Sequence, residues 1–78
     1  MKVYLNTVFD ELYSGDAREV VLPGDEGELS IMEFHQPVIC RLIEGNIRIR
    51  SRQKEDLIKI KDGVAHMEKN TLKIMAEV

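Results

Sequence analysis

The last eight residues, "TLKIMAEV", alternate strictly: Leu72, Ile74, Ala76 and Val78 fall on one side, and Lys73, Met75 and Glu77 on the other. Almost the whole chain shares that period of two. In "GNIRIRSR", Ile47, Ile49 and Ser51 alternate with Arg48, Arg50 and Arg52; in "DLIKIK", Ile58 and Ile60 alternate with Leu57, Lys59 and Lys61. "VYLNTVF" alternates more loosely and puts Val3, Leu5, Thr7 and Phe9 on the inner face, while "REVVL", "GELSIM" and "PVICRLI" are short β-branched runs. Successive side chains of a strand point to opposite faces, so this pattern describes half-buried antiparallel strands. No stretch carries a helical stripe. The predicted core is Val3, Leu5, Val21, Leu29, Ile31, Ile39, Leu42, Ile47, Ile49, Ile58, Ile60, Leu72 and Ile74.

Turn signals recur at strand-length spacing: "YSGD", "PGDEG", "HQP", "EGN", "RQKE", "KDG" and "EKN". Asp62-Gly63 is the strongest hairpin signal, because a type I′ turn needs positive φ at both central residues, and Asn70 is the next candidate for a left-handed position. Short strands with evenly spaced turns predict an all-β fold. The pattern fits a small sandwich or barrel; we expect an all-β chain with two stacked antiparallel sheets, forming a single domain over residues 1–78. Aromatics are 5% of the chain and Trp is absent, so the core must be aliphatic.

Composition narrows the function classes. The formal charge is -3, from fourteen acids and eleven Lys or Arg, which argues against nucleic acid as a partner, since phosphate neutralisation favours a basic excess. One cysteine, Cys40, allows no internal disulfide. No apolar run is long enough to span a membrane, and "MKVYLNTVFDELY" lacks the apolar stretch of a signal peptide. The expected location is the cytosol or the cytosolic face of a membrane complex.

The stretch "LPGDEGELSIMEFHQP" interrupts the strands with glycines, acids, prolines and a histidine. Asp25, Glu26 and Glu28 are possible acid–base carboxylates, but a catalytic pair needs a pocket that separates its pKa values, and a Gly-rich turn is solvated. Gly24 and Gly27 are not followed by the Lys-Ser/Thr of a phosphate loop. His35 and Cys40 are too few for zinc, and Cys40 within "VICRLI" reads as a buried small hydrophobe. The Arg48, Arg50 and Arg52 stripe could track a nucleic-acid backbone on an OB-type fold, but no aromatic platform interleaves with it. The residues thus describe an acidic all-β domain with no catalytic residue, cofactor site or metal site. Such a domain works by presenting surface to a partner; the alternatives are an OB-like single-strand nucleic-acid module, or a small hydrolase using Asp25, Glu28 and His35.

From Ser14 to Ile49 the chain resembles the epsilon subunit of F-type ATP synthases, called delta in mitochondria. The resemblance rests on Ser14-Gly15, the apolar Val20 to Leu22, Gly24 with Gly27-Glu28, Leu29 to Ile31, His35 with Pro37, and Gly45 before Ile47-Arg48-Ile49, and it continues through "DGVAHMEKNTLKIMAEV". The chain departs from the family pattern at Ser30, at Glu33-Phe34 in place of a Pro-Gly-like pair, at Gln36 and at Asp62. The alanine- and arginine-rich helical hairpin that usually follows the sandwich, and that binds ATP in some bacteria, has no counterpart in these residues.

The resemblance implies a ten-stranded sandwich in the central stalk, a non-catalytic rotor part bound to the gamma subunit and the membrane c-ring. It would couple proton or sodium flow to ATP synthesis at the cytoplasmic face of the bacterial inner membrane, as a peripheral component that is monomeric when isolated. It further implies a partner-binding surface of Gly24, Asp25, Glu26, Gly27, Glu28, Ile31, Met32, Phe34 and His35, with Glu28 and its neighbours toward the ring and His35 toward gamma.

Overall fold

The computed structural model describes residues 1–78 and contains strands and turns but no helix. Nine strands follow in order: β1 (Lys2–Asn6), β2 (Glu11–Asp16), β3 (Glu19–Gly24), β4 (Gly27–Met32), β5 (Val38–Leu42), β6 (Gly45–Arg50), β7 (Glu55–Ile60), β8 (Asp62–Glu68) and β9 (Thr71–Glu77). The count is nine, against the ten that the resemblance implies. The hydrogen-bonded path runs β2-β1-β9-β8-β5-β3-β6-β7, with β4 on the free side of β3. One bridge, Gly24 to Leu42, joins β3 to β5. The sheet therefore turns a corner there and forms two layers, β2-β1-β9-β8-β5 and β4-β3-β6-β7. The shortest extent, 18 Å, suits two layers packed about 10 Å apart.

One pairing breaks the antiparallel expectation. β1 and β9 are parallel, with Val3 opposite Leu72 and Leu5 opposite Ile74. Parallel neighbours need a long connection, and here almost the entire chain supplies it.

The inner faces supply the core. Val3, Leu5, Leu42, Met67, Leu72 and Ile74 come from one layer, and Val20, Leu22, Ile31, Ile47, Ile49 and Ile60 from the other; none is more than 2% exposed. No polar or charged residue is buried whole. The buried polar atoms include the Met1 ammonium, which donates to the Ala17 carbonyl at 2.9 Å, and Asn6 Oδ1, which has no partner and carries a desolvation cost.

The expected core needs correcting at a few positions. Ile39 points outward and is 71% exposed; Val38, Cys40 and Leu42 form the inner row of β5. "VICRLI" is apolar at both parities, so its period cannot select a face. In β3, Val20 and Leu22 are buried and Val21 is only half-buried, for the same reason. Leu29 and Ile58 lie half-buried against the core. Phe9 is outside altogether, because β1 ends at Asn6 before the alternation reaches it.

The turns show where local chemistry decides. Lys69 and Asn70 have φ of 52° and 56°, so the β8–β9 hairpin has the positive φ pair of a type I′ turn, with Asn70 in the expected left-handed position. Asp62-Gly63, by contrast, is not a hairpin turn. Neither residue has positive φ, both begin β8, and β7 pairs with β6 alone, so the chain crosses there between the layers. At the tip of the β3–β4 hairpin, Gly27 has φ of 123°, which disfavours any side chain.

Phe34 is the strained position. Its φ is 62°, in the left-handed region, although the residue is bulky. Two bonds hold it: Asn70 Oδ1 accepts from the Phe34 N–H at 2.8 Å, and the His35 N–H donates to the Met32 carbonyl at 3.1 Å.

Two outcomes follow in urea denaturation. Ile49→Ala should cost about 2–5 kcal/mol, as a fully buried large-to-small change, whereas Ile39→Ala should stay within about 0.5 kcal/mol. Phe34→Gly should stabilise the chain by about 0.5–1 kcal/mol, since relief of left-handed strain of about 1–2 kcal/mol exceeds the extra entropy that glycine loses on folding. Phe34→Ala keeps that strain and should bring no gain.

Candidate functional site

The strands end at two opposite poles, and the predicted site residues divide between them. At one pole lie the β3–β4 hairpin with Asp25 and Glu26, the β5–β6 link with Glu44, the β7–β8 link with Lys61, and the ends of β1 and β9. Asp62 pairs with Glu77 there, and the Lys61 N–H donates to the Glu77 carbonyl at 2.7 Å. Exposed Asp10, Asp25, Glu26, Glu44, Asp62 and Glu77 thus crowd one end, with Lys61 and Arg41 as the nearby bases. The opposite pole holds Arg18, Arg52, Lys54 and Lys69 in its turns, with Asp16 and Glu33 among them. A sequence only mildly acidic overall is strongly acidic at one end.

The hairpin at the acidic pole is tied to the other layer. The Asp25 N–H donates to the Arg41 carbonyl at 2.9 Å, and the Ile43 N–H to the Pro23 carbonyl at 2.9 Å. Gly24 is buried in this corner, and a Cβ on it would lie 2.7 Å from the Gly27 carbonyl oxygen and 3.1 Å from Cys40 Sγ. Glu28, the second residue of β4, is exposed opposite Pro23. These residues present backbone-fixed carboxylates to solvent.

β4 then runs away from that pole. Its six residues cover about 20 Å at strand rise, so Met32, Phe34 and His35 emerge near the other end. Met32 is 57% and Phe34 79% exposed, and His35 is half-buried with Nδ1 2.8 Å from the Gln36 carbonyl oxygen. Ile31 is fully buried, so it belongs to the core and has no side-chain surface to offer a partner. The period-two pattern of "LSIM" already implied that Ile31 and Met32 cannot share a face.

The geometry bears on the other chemistries. Asp25 and Glu28 lie at the opposite end of β4 from His35, so no pocket joins the three. Cys40 is half-buried rather than fully buried, and its thiol is pushed up by desolvation and by the nearby carboxylates of Asp25 and Glu26, which disfavours a thiolate nucleophile. Arg48 and Arg50 pair with carboxylates, Glu55 at 3.2 Å and Glu19 at 2.9 Å. Glu19 also accepts a hydrogen bond from Ser30, and that bond, followed by the Arg50 contact, holds its carboxyl below the usual range. Two of the three arginines of the stripe are therefore held in cross-strand ion pairs, which exposed strand faces commonly form, while Arg52 lies beyond the end of β6.

Sequence reasoning did not single out the β1–β2 turn. Val8 and Phe9 at its tip are 83% and 91% exposed, above every other large hydrophobic side chain. The signal was present in "NTVFD": Thr7 followed closely by Asp10 is side-chain turn chemistry, and it ends the strand before Phe9.

Comparison with known proteins places this architecture. The sequence profile described as ATP synthase, Delta/Epsilon chain, beta-sandwich domain matches residues 1–78. The ATP synthase epsilon chain of Janthinobacterium sp. (strain Marseille) is 29% identical over 79 aligned positions, covering 99% of this chain and 56% of that protein. That of Delftia acidovorans is 32% identical over 69, covering 87% of this chain and 50% of that one. The chain thus spans about half the length of these curated relatives. In fold it matches a chain of the Tetrahymena thermophila mitochondrial ATP synthase central stalk and c-ring structure with a TM-score of 0.84 at 19% identity, over 99% of this chain and 63% of that one. A chain of the Euglena gracilis mitochondrial ATP synthase gives 0.88 at 18% identity, over 95% and 48%. With its whole length matched by the family profile, the chain belongs to the family of ATP synthase delta/epsilon chain β-sandwich domains.

Proposed function

We propose that this chain is a non-catalytic rotor component of an F-type ATP synthase, which sits in the central stalk, binds the gamma subunit and the c-ring, and couples ion flow to ATP synthesis. The observation that carries the reading is the division of exposed contact residues between the two ends of β4. Asp25, Glu26 and Glu28 stand at the acidic pole, and Met32, Phe34 and His35 near the other. A coupling element must grip two bodies at once without deforming between them. β4, paired with β3 along its whole length and anchored in the core by Ile31, is a short, stiff spacer of that kind.

In this reading the acidic pole faces the ring, and polar loops carrying Arg or Gln side chains would meet Glu28 and its neighbours. Phe34, with Met32 and His35, faces gamma. Phe34 retains left-handed strain while exposing an aromatic ring, and strain of that sort concentrates at functional contacts. The chain does no chemistry of its own and takes no cofactor, nucleic acid or ATP. It is peripheral to the membrane through the complex, at the cytoplasmic face of the bacterial inner membrane, and monomeric when isolated.

The test is proton- or sodium-driven ATP synthesis in a reconstituted complex with and without the chain. Omission should uncouple synthesis from the ion gradient. Glu28→Lys should weaken assembly on the ring within about tenfold, because exposed charges tune encounter and register more than affinity. Phe34→Ala should cost more affinity for gamma than Glu28→Lys costs for the ring, since a few desolvated anchors dominate most interfaces. Unchanged coupling on omission, or normal stalk binding by both variants, would refute the proposal.

A further inference from the structure

The β1–β2 turn is built to hold two apolar side chains in water. Thr7 Oγ1 accepts from the N–H groups of Phe9 at 3.1 Å and Asp10 at 2.9 Å, while the Thr7 N–H donates to the Asp10 carbonyl at 2.8 Å. Every bond in the turn fixes backbone, and none buries Val8 or Phe9. Turns are ordinarily polar, because side chains there are solvated. A turn that is pinned from within and tipped with Val and Phe has already lost the freedom that binding would otherwise remove, which is the condition for an efficient anchor.

The position of the turn defines its occupant. Asn6 pairs with Met75, so the turn projects at the end of β9, on the acidic pole. Val8 borders one surface depression together with Arg41, Asp62, Met75 and Glu77. A body seated on this tip meets Asp10 and, across the depression that Val8 borders, Glu77 and Asp62, the latter 3.8 Å from Arg41. An anionic lipid surface would be repelled there, whereas a protein with an apolar socket rimmed by Lys or Arg is complementary in both shape and charge.

We propose that Val8 and Phe9 form the hydrophobic anchor of the chain's ring-side contact, seated in an apolar, cation-rimmed socket of the partner protein. This inference rests on the rotor reading above and assigns the main share of ring-side affinity to a turn outside the Gly24–Glu28 hairpin.

The experiment measures affinity of the chain for a detergent-solubilised gamma–c-ring assembly as a function of salt. Phe9→Ser should weaken binding by about tenfold or more with an unchanged salt slope, and Phe9→Leu should recover most of that loss. The double change Asp62→Asn, Glu77→Gln should weaken binding less but flatten the salt slope. Unfolding cannot mimic this result, since a 91% exposed side chain contributes little to stability, and unchanged urea midpoints check the point. Wild-type binding with Phe9→Ser within twofold of it overturns the inference and leaves the rotor reading standing; no wild-type binding overturns both. Two other outcomes also overturn the inference: Phe9-dependent binding to anionic phosphatidylglycerol vesicles, and Phe9-dependent self-association in sedimentation.

Discussion

The structure turns on the corner where β3 meets β5. A single bridge, Gly24 to Leu42, joins the two layers, and it exists because Gly24 has no Cβ to strike the Gly27 carbonyl or Cys40 Sγ. Leu42 continues the inner row of β5 into the core from that point, and Leu22 does the same for β3. Closing the corner brings the two aliphatic faces together, and their burial supplies the main driving force in a chain too small for a second core. It also fixes the hairpin beyond it, through the Asp25 and Ile43 backbone bonds. The features that stabilise the fold and those that aim the acidic hairpin are therefore the same features.

Charge segregation comes from topology. Antiparallel strands return to the same two poles repeatedly, so turns far apart in sequence share an end. The links at residues 7–10, 25–26, 43–44 and 61, with the end of β9, meet at one pole, and most of their titratable side chains are acids. A net charge of -3 conceals this, because the basic residues lie chiefly on outer faces and at the other pole. Potentials concentrated at one end orient an approaching partner even where the individual charges add little affinity.

Much of this was legible in the sequence. Alternation in β6, β7 and β9 identified Ile47, Ile49, Ile60, Leu72 and Ile74 as core, because polar or charged residues flank each of them, Ile74 alone having an apolar neighbour, Met75, on one side. Where apolar residues occupy both parities, as in "VVL" and "VICRLI", pattern alone could not decide, and only pairing across the sheet excludes Ile39. Asp62-Gly63 misled because turn chemistry is local while the choice between a hairpin and a crossing belongs to the whole sheet. The Gly24–Gly27 turn was read correctly as a turn. Assigning Ile31 to both core and contact surface ignored the constraint that a strand residue faces only one way. The Val8–Phe9 tip was missed because the alternation was extended through a threonine whose side chain ends the strand.

The central claim is that the two poles grip different bodies. Amide hydrogen exchange tests it most directly, on the chain alone, with gamma, and with the gamma–c-ring assembly. Gamma alone should slow exchange across the turn at residues 33–36 and leave the acidic pole unprotected; adding the ring should extend protection to residues 8–10 and 25–28. Protection confined to the Arg48 and Arg50 face, or protection of both poles by gamma alone, would contradict the account.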